Sequence, residues 1–467
     1  RSHGSHCAED KLIIAPMKTC LWKGLLTAAL LFDVMASTPA LAGQQWRLAH
    51  VIAAGTPIDV AARRFAELVK IRTKGEIEMS VHPAGQLGGE RAIIEGVQLG
   101  TIAMSLTTTG AIGSFAPEFQ VLDLPYLFPT DEAAYTFLDG SNGRKLLDLL
   151  DRRGMHGLTY FENGWRNFTS SKGPLRRPED IEGQTIRVME SPMYMGLVRS
   201  LGARPAPIPY DQLPAALSRR QIDGQENPAV NVYSARMYES QPYMIRDRHT
   251  YNVFILKING KLWRSLPAPL RDVIATTAAE VRDFQRKLNR EADQHFINKL
   301  IGRGVRVHEP TPDELQAWQA ATATLYADAP KIVGPDWVGQ ATQFRKDWDA
   351  GRYAAEAQRY VETYDRIQVP LDTVQLPLVP TDASGTSPGH LLPGGREQLF
   401  ALQHTAARAL RVFHDFPPFA RPAILNTGHL GVCRRIHCIQ SPGRRRKFHN
   451  TKCSCGIRKI CLHCFAR

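Results

Sequence analysis

Residues 46–106 read WRLAHVIAAGTPIDVAARRFAELVKIRTKGEIEMSVHPAGQLGGERAIIEGVQLGTIAMSL, and two hydrophobic periods alternate along them. Trp46 to His50 reads as a short strand. Thr56 then offers an N-cap, Pro57 suits the first helical position, and Asp59 complements the positive end of a helix dipole. Ile58, Ala61, Ala62, Phe65, Leu68 and Val69 recur at helical spacing and form one buried face. Ile77 to Val81 returns as a strand, Arg91 to Leu99 as a helix and Ile102 to Leu106 as a strand. Strand-helix-strand-helix-strand at this spacing predicts an α/β layer with largely parallel pairing.

The alternation continues less cleanly downstream. Thr185 to Met189 and Ala206 to Ile208 read as strands, Met193 to Leu201 and Gln212 to Leu217 as helices. Leu270, Val273, Ile274, Val281, Phe284, Leu288, Phe296 and Leu300 then keep a helical period, with Pro267 and Pro269 at the start and Gly302 and Gly304 at the end. A helix of about 30 residues is ~45 Å long, enough to touch two lobes. Two α/β lobes joined in this way leave a cleft, where small ligands usually sit. No repeat is visible, so a solenoid is excluded.

The chain has 467 residues and a net charge of +13, but the charge is unevenly placed. From Gln44 to Arg366 there are 40 Lys/Arg against 38 Asp/Glu, whereas Phe416 to Arg467 carries 11 Lys/Arg and no acid. The basicity belongs to the tail, so no nucleic-acid partner is expected for the body. Cysteine divides the chain in the same way: Cys7 and Cys20 precede the body, and the other six lie between Cys433 and Cys464. A body without thiols suits an oxidising compartment. Met17, Lys18, Lys23, the apolar run Gly24 to Phe32 and Ala40-Leu41-Ala42 predict a cleaved secretory signal over 17–42, hence export to the periplasm. Residues 1–16 read as an upstream non-native segment. Residues 367–467 read as a disordered or non-native extension, in which only Cys461 and Cys464 have a zinc-knuckle spacing.

No nucleophile elbow, His-Glu-x-x-His, P-loop or dinucleotide fingerprint occurs, and the body's histidines are scattered. No catalytic residue, metal site or cofactor is therefore expected, and the weight shifts from enzyme to binding protein. Arg187, inside the apolar run Ile186-Arg187-Val188, and Arg166, between Trp165 and Asn167, stand out. A guanidinium matches a carboxylate with two parallel hydrogen bonds. For either arginine alone, a solvent-facing charge is the alternative.

Asp180-Ile181-Glu182-Gly183-Gln184-Thr185-Ile186-Arg187-Val188 resembles the "DLKGLKIRV" segment of the solute-binding proteins of TRAP (tripartite ATP-independent periplasmic) transporters, the DctP type. Ile222-Asp223-Gly224-Gln225-Glu226-Asn227-Pro228 resembles that family's "VDGQENP". Gly85-Gln86-Leu87-Gly88 is similar to its "GQLG", and Leu124-Pro125-Tyr126-Leu127-Phe128 to its "LPFLF". Leu201-Gly202-Ala203 with Pro207 and Pro209, and Tyr238-Glu239, fall in family order. Ser218-Arg219-Arg220 and Gln184-Thr185 depart from the pattern.

The resemblance implies a two-lobed periplasmic-binding-protein fold of type II character that closes on its ligand. Lobe 1 would comprise 43–165 plus 253–290, and lobe 2 166–252 plus 291–366. It also implies a small organic carboxylate, dicarboxylates included, delivered by a monomer to TRAP permease membrane subunits. Arg187 would hold the carboxylate, Asn227 would assist and Arg166 would complete the clamp. Tyr210 would pack over the ligand, Glu90 and Thr108 would meet its distal end, and Trp165 and Tyr210 would suit an aromatic or branched acid. Reversible closure implies affinities of about −8 to −12 kcal/mol. A ligand-sensing subunit for a membrane receptor, or a periplasmic enzyme on the same fold, are the alternatives.

Overall fold

The computed structural model describes residues 44–374. The expected signal at 17–42, the segment before it and the Cys/His-rich stretch lie outside the described residues.

The opening stretch forms β1 (Gln44–Ala49), α1 (Pro57–Arg72), β2 (Ile77–His82), α2 (Glu90–Leu99) and β3 (Met104–Thr108). β1 pairs in parallel with both β2 and β3, as the alternation predicts. α1 buries Ile58, Ala61, Ala62, Phe65 and Val69, while Leu68 is only half-buried. Its cap differs from expectation. The Thr56 hydroxyl donates to the Ala53 carbonyl at 2.8 Å and caps nothing. The Asp59 carboxylate instead accepts from the Gly55 amide at 2.9 Å and pairs with Arg63 one turn on. A carboxylate competes better than a hydroxyl for donors at the positive helix end.

Downstream come α3 (Asp131–Asp139), β4 (Met155–Ser170), β5 (Thr185–Val188), α4 (Pro192–Ser200) and β6 (Arg204–Pro207). They are followed by β7 (Gly224–Asn227), β8 (Tyr243–Ile245), β9 (Thr250–Asn259), α5 (Ala268–Gly302), β10 (Arg306–His308), α6 (Pro312–Thr322) and α7 (Pro335–Asp349). The strand order is β2-β1-β3-β9-β4-β7-β5-β6, with β8 on β4 and β10 on β8. The parallel pairing expected from the opening stretch holds there, and the sheet as a whole is mixed. Parallel strands lie at either end, but the antiparallel strands β9 and β4 join them.

β4 is 16 residues long and was not legible as a strand, because Glu162-Asn163-Gly164 reads as a turn. In the fold this is a bulge, where the register against β9 shifts between Glu162 and Gly164. Gly164 has φ +110°, a conformation that favours glycine, and a Cβ there would lie a tight 3.1 Å from the Asn289 amide nitrogen. Past the bulge β4 changes partner: Arg166 pairs with Thr250 of β9, and Asn167 with Asn227 of β7.

α5 runs for 35 residues, ~52 Å. Leu270, Ile274, Ala278 and Val281 in its first half join one apolar core, together with α1. Ala292, Phe296, Ile297 and Leu300 in its second half join another, with Leu213, Leu217, Ala229 and Val232. Between the two, the buried Arg286 guanidinium makes a two-bond ion pair with Asp139 of α3, at 2.8 and 2.9 Å.

Candidate ligand-binding site

β5 lies between β6 and β7, both parallel to it. Side chains alternate across a strand, so Ile186 and Val188 enter the core while Arg187 projects oppositely. Arg187 is nevertheless 1% exposed, which rules out a solvent-facing charge. Its Nε donates to the Ile208 carbonyl at 2.8 Å, but Nη1 is buried without a hydrogen bond. Burial pulls its pKa down to about 10, against the attraction of Glu226. Arg187 thus remains charged at neutral pH, with donor capacity that the protein leaves unused.

Arg166 on β4 is as deeply buried but differently committed. Its Nη2 donates to Glu226 Oε1 at 2.8 Å, its Nε to Glu226 Oε2, and Nη2 also to the Glu226 carbonyl. Glu226 faces His249 Nε2 at 3.4 Å, and His249 Nδ1 meets Asp247 at 2.8 Å. Burial alone would lower the His249 pKa, but Asp247 and Glu226 push it up to about 9. Burial alone would raise the Glu226 pKa, and Arg166 and His249 hold it down. Charges alternate through Arg166, Glu226, His249 and Asp247, so each is compensated by its neighbour.

Other elements bring neutral and acidic groups to the same place. Glu90, the first residue of α2, accepts from the Thr108 amide at 2.6 Å and from the Thr108 hydroxyl at 2.9 Å. Burial raises its pKa. Asn227 donates to Gln225 at 2.6 Å and accepts from Asn231 at 3.2 Å; Asn231 also donates to Asn163 at 3.1 Å. The Tyr210 hydroxyl is buried with Ser234 alongside, outside hydrogen-bond geometry.

Arg187, Arg166, Asn227, Tyr210, Glu90 and Thr108 all line one cavity of about 10 Å³, barely the space that one water requires. Trp165, named with them from the sequence, does not. Adjacent strand residues face opposite ways, and the Trp165 indole donates to Asp131 at 2.7 Å and packs edge-on to Tyr251. It lines a wider pocket of about 470 Å³ instead. Volume alone would favour that pocket, but the unsatisfied buried cation marks the small cavity as the candidate site. Sequence reasoning missed Val51, Ile52, Asn163, Met189 and Asn231 in its lining, and Glu226 behind it. Glu226 lies within the motif Ile222 to Pro228, but only its burial in the fold shows that it requires a partner.

Among the described residues no His, Cys, Asp or Glu cluster could hold a metal ion, and no helix is long and apolar enough to cross a membrane.

The sequence pattern of the bacterial extracellular solute-binding proteins, family 7 (DctP), matches residues 48–331. The chain belongs to this family. The family 7 chain is 34% identical over 271 residues to the 2,3-diketo-L-gulonate-binding periplasmic protein of Escherichia coli, covering 58% of itself and 83% of that protein. It is 29% identical to the C4-dicarboxylate-binding periplasmic protein of Rhodobacter capsulatus, covering 68% and 95%. Among solved structures, the sugar acid binding protein of Advenella mimigardefordensis in complex with galactonate superimposes with a TM-score of 0.64 at 32% identity, over 65% of this chain and 98% of that one. A TRAP periplasmic solute-binding protein of Sulfurospirillum deleyianum with bound succinate gives 0.61 at 28% identity, over 64% and 98%. The family 7 protein described here is thus a TRAP-transporter solute-binding protein with the two-lobed α/β fold of its relatives, and it captures substrate for TRAP uptake.

Proposed function

We propose that the protein captures a small hydroxylated monocarboxylate in the periplasm, as a monomer and without chemical conversion, and hands it to the membrane permease. The observation that carries this reading is the buried Arg187 guanidinium, whose Nη1 lacks a hydrogen bond inside the cavity. A carboxylate supplies both the missing acceptor and the missing charge. Arg166 contributes through its field and its remaining Nη1, because Glu226 takes its other edge. Asn227 and Tyr210 complete the surroundings of the carboxylate.

The distal end favours hydroxyl groups over a second carboxylate. Glu90 and Thr108 line the cavity there, and no cation besides Arg187 and Arg166 does so among the described residues. A second carboxylate would meet Glu90, whereas a hydroxyl donates to it. Relatives of both kinds exist: the Advenella protein holds galactonate, a Polaromonas protein D-erythronate and the Sulfurospirillum protein succinate.

The partner exchange of β4 between Arg166 and Asn167, one residue from the proposed division at 165/166, supports separating lobe 1 (43–165 plus 253–290) from lobe 2 (166–252 plus 291–366) near this point. A cavity of about 10 Å³ is too small for any of these acids, so the lobes must part to admit one.

A thermal-shift screen of organic acids tests the reading. A ligand at 100 times its Kd adds roughly 2.7 kcal/mol of stability. Hydroxylated monocarboxylates such as galactonate and erythronate should raise the melting temperature more than succinate. A shift produced only by neutral sugars or cations sinks the proposal.

A further inference from the structure

The run Val253-Phe254-Ile255-Leu256-Lys257-Ile258 of β9 is apolar except for one lysine, and Lys257 is fully buried. It stands opposite Ser105 in the pairing of β9 with β3. Asn259, two residues on and so on the same face, donates to the Val97 carbonyl of α2 at 2.7 Å. The lysine is therefore enclosed between the sheet and α2. Its Nζ donates to the Thr107 hydroxyl at 2.5 Å, its one hydrogen bond among the described residues. The facing Ser105 hydroxyl is buried without a partner. An ammonium carries three donors and a charge, so a buried lysine with one bond needs a counter-ion.

Glu90 is the group placed to serve. It opens α2, where the helix dipole favours an anion, and its two oxygens accept from the amide and the hydroxyl of Thr108, the residue after Thr107 on β3. Burial pulls the Lys257 pKa down to about 7 and pushes that of Glu90 up, while the charge of each opposes the shift of the other. Of the two, only Glu90 reaches the carboxylate cavity, beside Thr108. Arg187 of β5 and Tyr210 also act on Glu90, but with pKa values of about 10 and about 12 neither changes charge between about pH 5.5 and 8. The exposed Asp211 carboxylate stands 3.4 Å from where a Cβ on Gly89, the preceding residue, would lie.

We propose that Lys257, which lies outside the cavity, is a positioning residue that sets ligand specificity: as the buried counter-ion of Glu90 it keeps a carboxylate, and not a neutral acid, at the ligand's distal end. This rests on the reading given above, in which Glu90 accepts from ligand hydroxyls. An ionised Glu90 accepts from hydroxyls and repels a second carboxylate, whereas a protonated one loses the repulsion and offers that carboxylate a donor. As pH falls, Lys257 gains its charge and strengthens the field that holds Glu90 ionised. The pair thus protects the distal end against acid.

The test is Lys257→Met, similar in length and without charge. D-Galactonate and succinate are titrated calorimetrically into the full chain of wild type and variant at about pH 8 and about pH 5.5. On this fall in pH, galactonate binding should weaken at least tenfold more in Lys257→Met than in wild type. The ratio of galactonate to succinate affinity at the lower pH should also be at least tenfold smaller in the variant. A lysine with a purely structural role would move neither quantity, so parallel profiles with an equal ratio overturn the role in specificity. A second measurement needs no ligand. Glu90→Gln strands Lys257 and should lower the melting temperature, and adding Lys257→Met should recover at least half of that loss; losses that simply add overturn the pairing. If neither acid binds the wild type, the reading of the cleft fails, and the melting temperatures decide the pairing on their own.

Discussion

The carboxylate of Glu226 closes the Nε–Nη2 edge of Arg166, so that of two equally buried arginines in one cavity Arg187 is the one with no ion pair and with a buried nitrogen free of hydrogen bonds. The two arginines expected to form the clamp are therefore unequal. In the proposed reading Arg187 holds the anion, and Arg166 is a tethered charge behind it.

Arg187→Lys keeps the charge but loses the fork, and should weaken ligand binding appreciably. Arg187→Ala should cost about 2–5 kcal/mol of binding, because the ligand's charge is then buried unpaired. Without ligand the effect should reverse. Arg187→Met, of similar length, removes a cation with a buried unbonded nitrogen, and the apo melting temperature should hold or rise. Calorimetric titration and thermal melts of the three variants decide it, and unchanged affinity in Arg187→Ala would remove Arg187 from the site.

Glu226→Gln should be far more damaging to the apo protein than any Arg187 variant. It leaves Arg166 and His249 buried without their shared counter-charge, a loss of about 3–5 kcal/mol by analogy with broken buried pairs. Denaturant unfolding measures this directly. A loss below 1 kcal/mol would mean that water reaches Arg166.

His249 predicts a pH dependence. Its folded pKa of about 9 lies above the ordinary value of 6.5, so its stabilising contribution is complete below pH 6.5 and lost as pH rises through 9. The full amount is about 3 kcal/mol. Lys257, pulled down by burial to about 7, adds the opposite slope from about pH 7 upward. The comparison is therefore the difference between wild type and His249→Gln, which should shrink between pH 6.5 and 9. A constant difference would show that His249 does not titrate in that window.

Glu90→Gln tests specificity. It removes the acidic acceptor at the distal end, so affinity for a hydroxylated monocarboxylate should fall about tenfold, the loss of a charge-assisted hydrogen bond. Discrimination against succinate should narrow at the same time. An equal loss for both ligands would move Glu90 to a purely structural role through Thr108.

Trp165→Phe should change cleft affinity less than about threefold, because the indole faces away from Arg187. It should lower stability by about 0.5–1.5 kcal/mol through the lost bond to Asp131. A large loss of cleft binding would return Trp165 to the carboxylate site.

The sequence by itself determined the elements whose signals are local. The alternation from Trp46 to Leu106, the prolines and glycines bounding α5, and the apolar flanks of Arg187 each depend on residues within a few positions, and periodicity records such neighbours. Asn227 was reached through the resemblance of Ile222 to Pro228 to a family motif, and the fold places it on a buried strand. Tertiary structure alone decided what depends on partners far along the chain. The Gly164 bulge became part of a 16-residue strand because β9, nearly a hundred residues later, holds it on both sides. Trp165 and Arg166 parted to opposite faces because that bulge sets the phase of β4. Glu226 neutralised Arg166 rather than Arg187 because β7 runs antiparallel beside β4 and parallel beside β5. Charge pairing is a matter of distance and burial, and neither is written in residue order.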